Sequence, residues 1–173
     1  MTQIFSFPAV ATGKAKVLIL GSMPGIRSLE KQQYYAHAQN SFWFIIEELL
    51  GIDRNQEYTQ RIRQVKMHKL AIWDVLQACR RKGSLDSAIE KDSVVANDFG
   101  VFLKQHKQIK YIFFNGAKAE QEFNKHVLPM LAGEFSHVQY HRLPSTSPAH
   151  AAISRQEKLR QWQIVKACLN ENS

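Results

Sequence analysis

The sequence predicts a single α/β domain spanning residues 1–173, a three-layer α/β/α sandwich around a central four-stranded parallel sheet. Three observations predict it. Short apolar runs recur at residues 16–20, 70–73, 111–114 and 138–143, and the first three are nearly continuous, as strands covered on both faces are. Stretches with helical spacing of apolar residues separate them, and strands alternating with helices imply βαβ units with right-handed crossovers. The length of 173 residues suits one domain with a substantial core.

The first strand, 16–20, runs into a tight turn, Gly21-Ser22-Met23-Pro24-Gly25, where backbone amides can face a ligand. An aromatic, polar segment follows, from Tyr34 and Tyr35 through His37, Gln39 and Asn40 to Phe42 and Trp43. Phe42, Ile45, Ile46, Leu49 and Leu50 form the buried stripe of a helix. Asn40 therefore has two readings. It is a preferred helix N-cap, and it is an amide able to orient a water molecule. Arg61, Arg63 and Lys66, with His68 and Lys69 on the approach to the second strand, read as a solvated basic face able to follow a phosphate backbone.

The second strand ends at Asp74 and the third at Asn115, both ordinary turn residues and both placed to read the edge of a planar ligand. A looser stripe, Ala117, Phe123, Val127 and Leu131, predicts one helix before the fourth strand. After that strand, Pro144-Ser145-Thr146-Ser147-Pro148-Ala149-His150 makes a rigid loop whose amides and hydroxyls can grip phosphates. Ser154 and Glu157 have capping-box spacing, so the closing helix starts there, with Leu159, Trp162, Val165 and Leu169 inward. In parallel sheets ligands bind beyond the carboxyl ends of the strands, so these turns should share one rim. A turn that holds a polar planar group, beside rings that stack on it, predicts a nucleobase pocket.

Bulk properties agree. Twenty-three Lys and Arg against fifteen Asp and Glu give +8 and a pI near 9.6, which favours polyanionic partners. Cys79 and Cys168 are too few and too far apart for a disulfide framework or an iron–sulfur cluster, and read as core thiols. The seven histidines lack metal-ligand spacing, and GxGxxG, Walker, HExxH and GxSxG patterns are missing, so neither metal nor cofactor is expected. The N-terminal residues do not read as a signal peptide, and no window approaches the ~18 apolar residues of a membrane span. A cytosolic or nucleoid-associated monomer is expected.

Taken together, the turn at 21–25, Ser28-Leu29, Tyr34-Tyr35, Asn40-x-Phe42-Trp43 and the 143–150 segment resemble the uracil-DNA glycosylase superfamily, over residues 14–165. The hypoxanthine-DNA (deoxyinosine) glycosylase branch is the most similar. The mismatch-specific uracil branch has a water-placing Asn within its first turn, and the familiar uracil enzymes use an Asp in that block. Met23 stands in their stead. The resemblance implies that Asn40 is the catalytic residue, that Tyr35 stacks on the flipped base, and that Ser145, Ser147, Pro148, Ala149 and His150 belong to the loop entering the DNA. Gly21, Ser22, Met23 and Pro24 would line the base pocket, with Tyr35, Asp74 and Asn115. The implied activity is monofunctional excision of a deaminated base from DNA, leaving an abasic site. A mismatch-type uracil enzyme, a catalytically weak DNA-binding relative and an unrelated nucleotide enzyme are the alternatives.

Overall fold

The computed structural model describes residues 2–172. Its main sheet has four parallel strands in the order β3-β2-β6-β7, where β2 is Val17–Gly21, β3 Leu70–Asp74, β6 Tyr111–Asn115 and β7 Gln139–Leu143. All five residues of β2 are buried, because side chains alternate between two covered faces. Val17 and Ile19 join one half of the core, while Leu18 and Leu20 join the other. The first half lies under α2 (Phe42–Leu50) and α7 (Arg155–Leu169), whose Phe42 and Trp162 rings meet edge to face at 6.1 Å. The second holds Phe99 and Phe102 of α4 (Phe99–Gln105) and Phe123 of α5 (Ala117–His126). The expected three-layer sandwich is present.

The first three central strands each run one residue further than the apolar runs, so Gly21, Asp74 and Asn115 are themselves the last strand residues. β7 is an edge strand, which accounts for its polar Gln-Tyr-His-Arg stretch. Two features depart from the sequence reading. A second, antiparallel sheet joins β1 (Gln3–Phe5), β4 (Leu76–Arg80) and β5 (Val95–Ala96). These pieces are too short to stand out, and β4 begins one residue after β3, so the two read as one strand and its turn. The single helix expected across 117–131 is broken at Val127 into α5 and the short α6 (Leu128–Leu131). Pro129 supplies no amide hydrogen and cannot extend α5.

The remaining helices are α1 (Ile26–Lys31) and α3 (Tyr58–Met67). Ser154 caps α7, its Oγ accepting the Glu157 amide at 3.1 Å, while the Glu157 carboxylate turns to Arg160 and Gln161 instead of completing the box. Cys79 and Cys168 are free and buried. Among the described residues no helix is long and apolar enough to cross a membrane.

Candidate active site

The carboxyl ends of β2, β3 and β6 and the 144–150 loop enclose a cleft of about 560 Å³, within the size range of small-molecule sites. Every pocket and loop residue expected from the sequence lines it. The basic face of α3 does not. Arg61 lies 4.5 Å over the Trp43 ring, and Arg63 and Lys66 border a separate groove with Lys14 and Lys69.

Gly21 sets the floor. A Cβ there would sit 2.6 Å from Asp74 Oδ1 and 3.3 Å from the Tyr35 hydroxyl, so glycine alone lets these groups converge. Among the described residues, the amides of Ser22 and Met23 meet no protein acceptor. They remain free to donate into the cleft. The Met23 side chain turns into the core, 7% exposed. Pro24 is held from behind, its carbonyl accepting a hydrogen bond from Arg81 Nη2.

Arg81 belongs to a wall the sequence reading missed. Its Nε donates to Gly83 O at 2.8 Å, Ser84 Oγ accepts the Ile26 amide at 2.8 Å, and Asp86 Oδ1 accepts the Ser22 hydroxyl at 2.7 Å. The small polar run after Gly83 was the available signal. Asp74 is 4% exposed and its Oδ2 has no partner. Burial pushes its pKa up to about 7, the charge of Asp86 adds to the shift, and Arg81 opposes it. Burial raises Asp86 as well, against the Ser22 hydrogen bond and Arg81.

The two neighbouring tyrosines separate. Tyr34 is a core residue, 4% exposed, with its hydroxyl donating to Pro8 O at 3.0 Å. Tyr35 adopts a left-handed φ of 55°, a strained conformation for a non-glycine residue, and turns to the cleft. Phe42 covers one face of its ring at 3.9 Å between centroids, and the residue lines the cleft. Its hydroxyl is buried without a partner, and burial raises the phenol pKa.

Asn40 is not the expected N-cap: Ser41 holds that position, with no side-chain cap bond. Asn40 stands one residue earlier, where its Oδ1 accepts the Phe42 amide at 2.9 Å in a local turn, and it lines the cleft. Its Nδ2 has no acceptor among the described residues. Asn115 does something the sequence did not suggest. Its Nδ2 donates to Thr146 Oγ1 and its Oδ1 accepts the Thr146 amide, both at 2.9 Å, so each end of the amide holds the loop. Thr146, 1% exposed and passed over in the sequence, is the anchor of that loop. Its carbonyl accepts the Ser41 amide at 2.9 Å.

Hydroxyl turns stiffen the rest of the loop, Ser145 Oγ accepting the Ser147 amide and Ser147 Oγ the Ala149 amide, both at 3.2 Å. From α7, Trp162 Nε1 donates to Pro144 O at 3.0 Å and Lys158 Nζ to Ser147 O at 3.3 Å. Pro148 and Ala149 form an exposed tip, and His150 is half-buried beside it. Lys118, in the first turn of α5, also lines the cleft.

The chain is similar to known proteins. A family model described as the uracil DNA glycosylase superfamily matches residues 7–169. The chain is 34% identical over 161 residues to a hypoxanthine DNA glycosylase of Methanosarcina acetivorans, covering 92% of this chain and 95% of that protein. It is 35% identical over 114 residues to a hypoxanthine DNA glycosylase of Methanosarcina barkeri, covering 65% and 71%. A solution NMR structure of a provisionally assigned uracil DNA glycosylase from Methanosarcina acetivorans superposes with a TM-score of 0.81 at 31% identity, covering 98% of this chain and all of that one. On these grounds the chain belongs to the uracil DNA glycosylase superfamily.

Proposed function

We propose that this protein is a monofunctional hypoxanthine-DNA glycosylase, which flips a deaminated base from DNA and hydrolyses its N-glycosidic bond. One observation carries the reading. The Asn40 amide, the free amides of Ser22 and Met23 and Tyr35 converge on a base-sized cleft, in a chain 34% identical to a hypoxanthine DNA glycosylase over nearly its full length.

A base inside the duplex is out of reach, so it is extruded, at lower cost when mispaired. The 144–150 loop enters the space that the base vacates. Tyr35 stacks on the captured base, an interaction worth roughly 1–3 kcal/mol. Asp74, on the floor, faces its polar edge. As the C1′–N bond breaks, its electron pair leaves with the base, and positive charge grows on the sugar. The amides of Ser22 and Met23 donate to the anionic base, as an oxyanion hole does. Asn40 orients a water towards C1′, where its oxygen forms the new bond, and the water's proton ends on the base. A cation-like carbon accepts a weak nucleophile, so an amide suffices where a stronger base would otherwise be needed. Thr146 and Asn115 position the loop and make no contact with the reacting atoms.

In this reading the protein acts as a monomer on chromosomal DNA. The test is incubation of excess protein with duplexes bearing one hypoxanthine or one uracil, followed by alkaline cleavage at abasic sites. Scission at hypoxanthine is the expected result. Scission confined to uracil would transfer the protein to a uracil-excising branch, and no scission at either, with DNA binding retained, would reject this reading in favour of another lesion or a non-catalytic binder.

A further inference from the structure

Lys118 has no part in the chemistry above, yet it is a half-buried cation set in the wall of the cleft. Its Nζ lies 2.6 Å from Glu122 Oε1, one helical turn along α5. Glu122 is itself buried, its side chain 9% exposed, and its second oxygen faces His126 Nε2 at 3.2 Å. Such a carboxylate is an expensive partner to bury for an ordinary surface ion pair, which would be worth about 0–1 kcal/mol. It restrains a long, flexible side chain that would otherwise wander through solvent. Arg27, the other long cation bordering the cleft, is 65% exposed and tied to Glu30. On the inner side, Lys118 is close enough to Asp86 to favour its charged form. Asp86 in turn holds Ser22, whose amide faces the ligand. Lys118 thus stands beside the turn that receives the base, with a fixed stem and donor hydrogens to spare.

The chemistry of deamination gives that donor a target. Deamination replaces an exocyclic amine, which donates, by a carbonyl oxygen, which accepts. An ammonium facing that position attracts the altered base and repels the amine of the parent. The same oxygen gains charge as the base departs with the bonding pair, so the contact strengthens in the transition state.

We propose that Lys118 reads the carbonyl created by deamination and stabilises the departing base through it, with Glu122 as its positioning residue. This rests on the glycosylase reading. Wild-type release of hypoxanthine is therefore measured first, and its failure would end that reading before Lys118 is tested.

Lys118→Met, Lys118→Arg and Glu122→Gln are then compared under single turnover with protein raised to saturation. Affinity for an undamaged duplex is followed in parallel. Loss of one donor of this kind slows chemistry by about 100-fold. Lys118→Met is expected to lower the saturated rate by that factor with affinity for undamaged DNA within about two-fold, and Lys118→Arg to recover most of the loss. Glu122→Gln should fall between them, and each comparison is made well below the melting temperature of every variant. An unchanged saturated rate would overturn the proposal, leaving Lys118 a structural partner of Glu122. A fall that saturating protein repairs would make it a phosphate contact. Borohydride trapping of wild type, but not Lys118→Met, on abasic DNA would make it a nucleophile instead.

Discussion

The turn that Asn40 makes at the entry of α2 and the water-placing role proposed for its amide are separable by a pair of substitutions. Its Oδ1 accepts the Phe42 amide at 2.9 Å, one of the otherwise unpaired donors at the start of α2. Removing such a bond costs about 1 kcal/mol, which in a chain of this size lowers Tm by roughly 2–4 °C. Asn40→Ala loses that bond and the amide together. Asn40→Ser keeps a hydroxyl able to make the same local turn, but removes the amide that the proposed mechanism uses to place the water. Asn40→Ala should therefore melt a few degrees lower, while Asn40→Ser melts within about 1 °C of wild type. Both should lose base release by about 100-fold or more at saturating protein, the scale for one positioned group acting on the transition state. Thermal melts and single-turnover release from a hypoxanthine duplex decide the matter. An Asn40→Ser protein that releases base at the wild-type rate would refute the water-placing role and leave Asn40 a turn residue only.

Three other substitutions probe the floor of the cleft. Asp74 titrates at about 7 in the folded protein against 3.8 ordinarily, so the unfolded chain loses its proton first as pH rises and stability falls between about pH 4 and 7. Asp74→Asn abolishes that titration and should gain stability over wild type across the window, by up to ~4 kcal/mol; urea denaturation at pH 4.5 and 7.5 showing a constant difference would contradict it. Gly21→Ala places a Cβ 2.6 Å from Asp74 Oδ1. The buried carboxyl must shift, with stability dropping about 1–3 kcal/mol and base release dropping roughly 100-fold, and wild-type kinetics would show the floor to be pliable. Tyr35→Phe removes a buried hydroxyl that has no partner while keeping the ring. Stability measured in urea should be unchanged or higher by up to ~1 kcal/mol, with release within a few-fold, and a large loss of release would reveal a hydroxyl contact with the base.

Three strands of the main sheet were legible because they are buried on both faces and so lack polar interruption, as in Leu18, Ile19 and Leu20. The rim followed from topology, since Gly21, Asp74 and Asn115 end neighbouring parallel strands. What escaped notice is held together by contacts distant in sequence. Arg81 reaches Pro24 across 57 positions and Asp86 reaches Ser22 across 64. The small polar run after Gly83 is a local mark of that wall, but it does not point to these contacts. Thr146 looked like one hydroxyl among several until its two hydrogen bonds to Asn115 set it apart from Ser145 and Ser147. Likewise, the identical tyrosines at 34 and 35 differ only in backbone geometry, one turned to the core and the other, through a positive φ, to the cleft.

The Thr146 anchor has a mechanical consequence. Its carbonyl holds the amide of Ser41, and Ser41 is the chain neighbour of Asn40. In the proposed mechanism, where the loop enters DNA and Asn40 aims the water, a push on the loop would pass through Thr146 to Asn40. Insertion and hydrolysis would then behave as one gear train, engaged when the loop is seated. A free deoxynucleoside, small enough to enter the cleft but unable to load the loop, would leave the train disengaged, and cellular nucleoside pools would be spared.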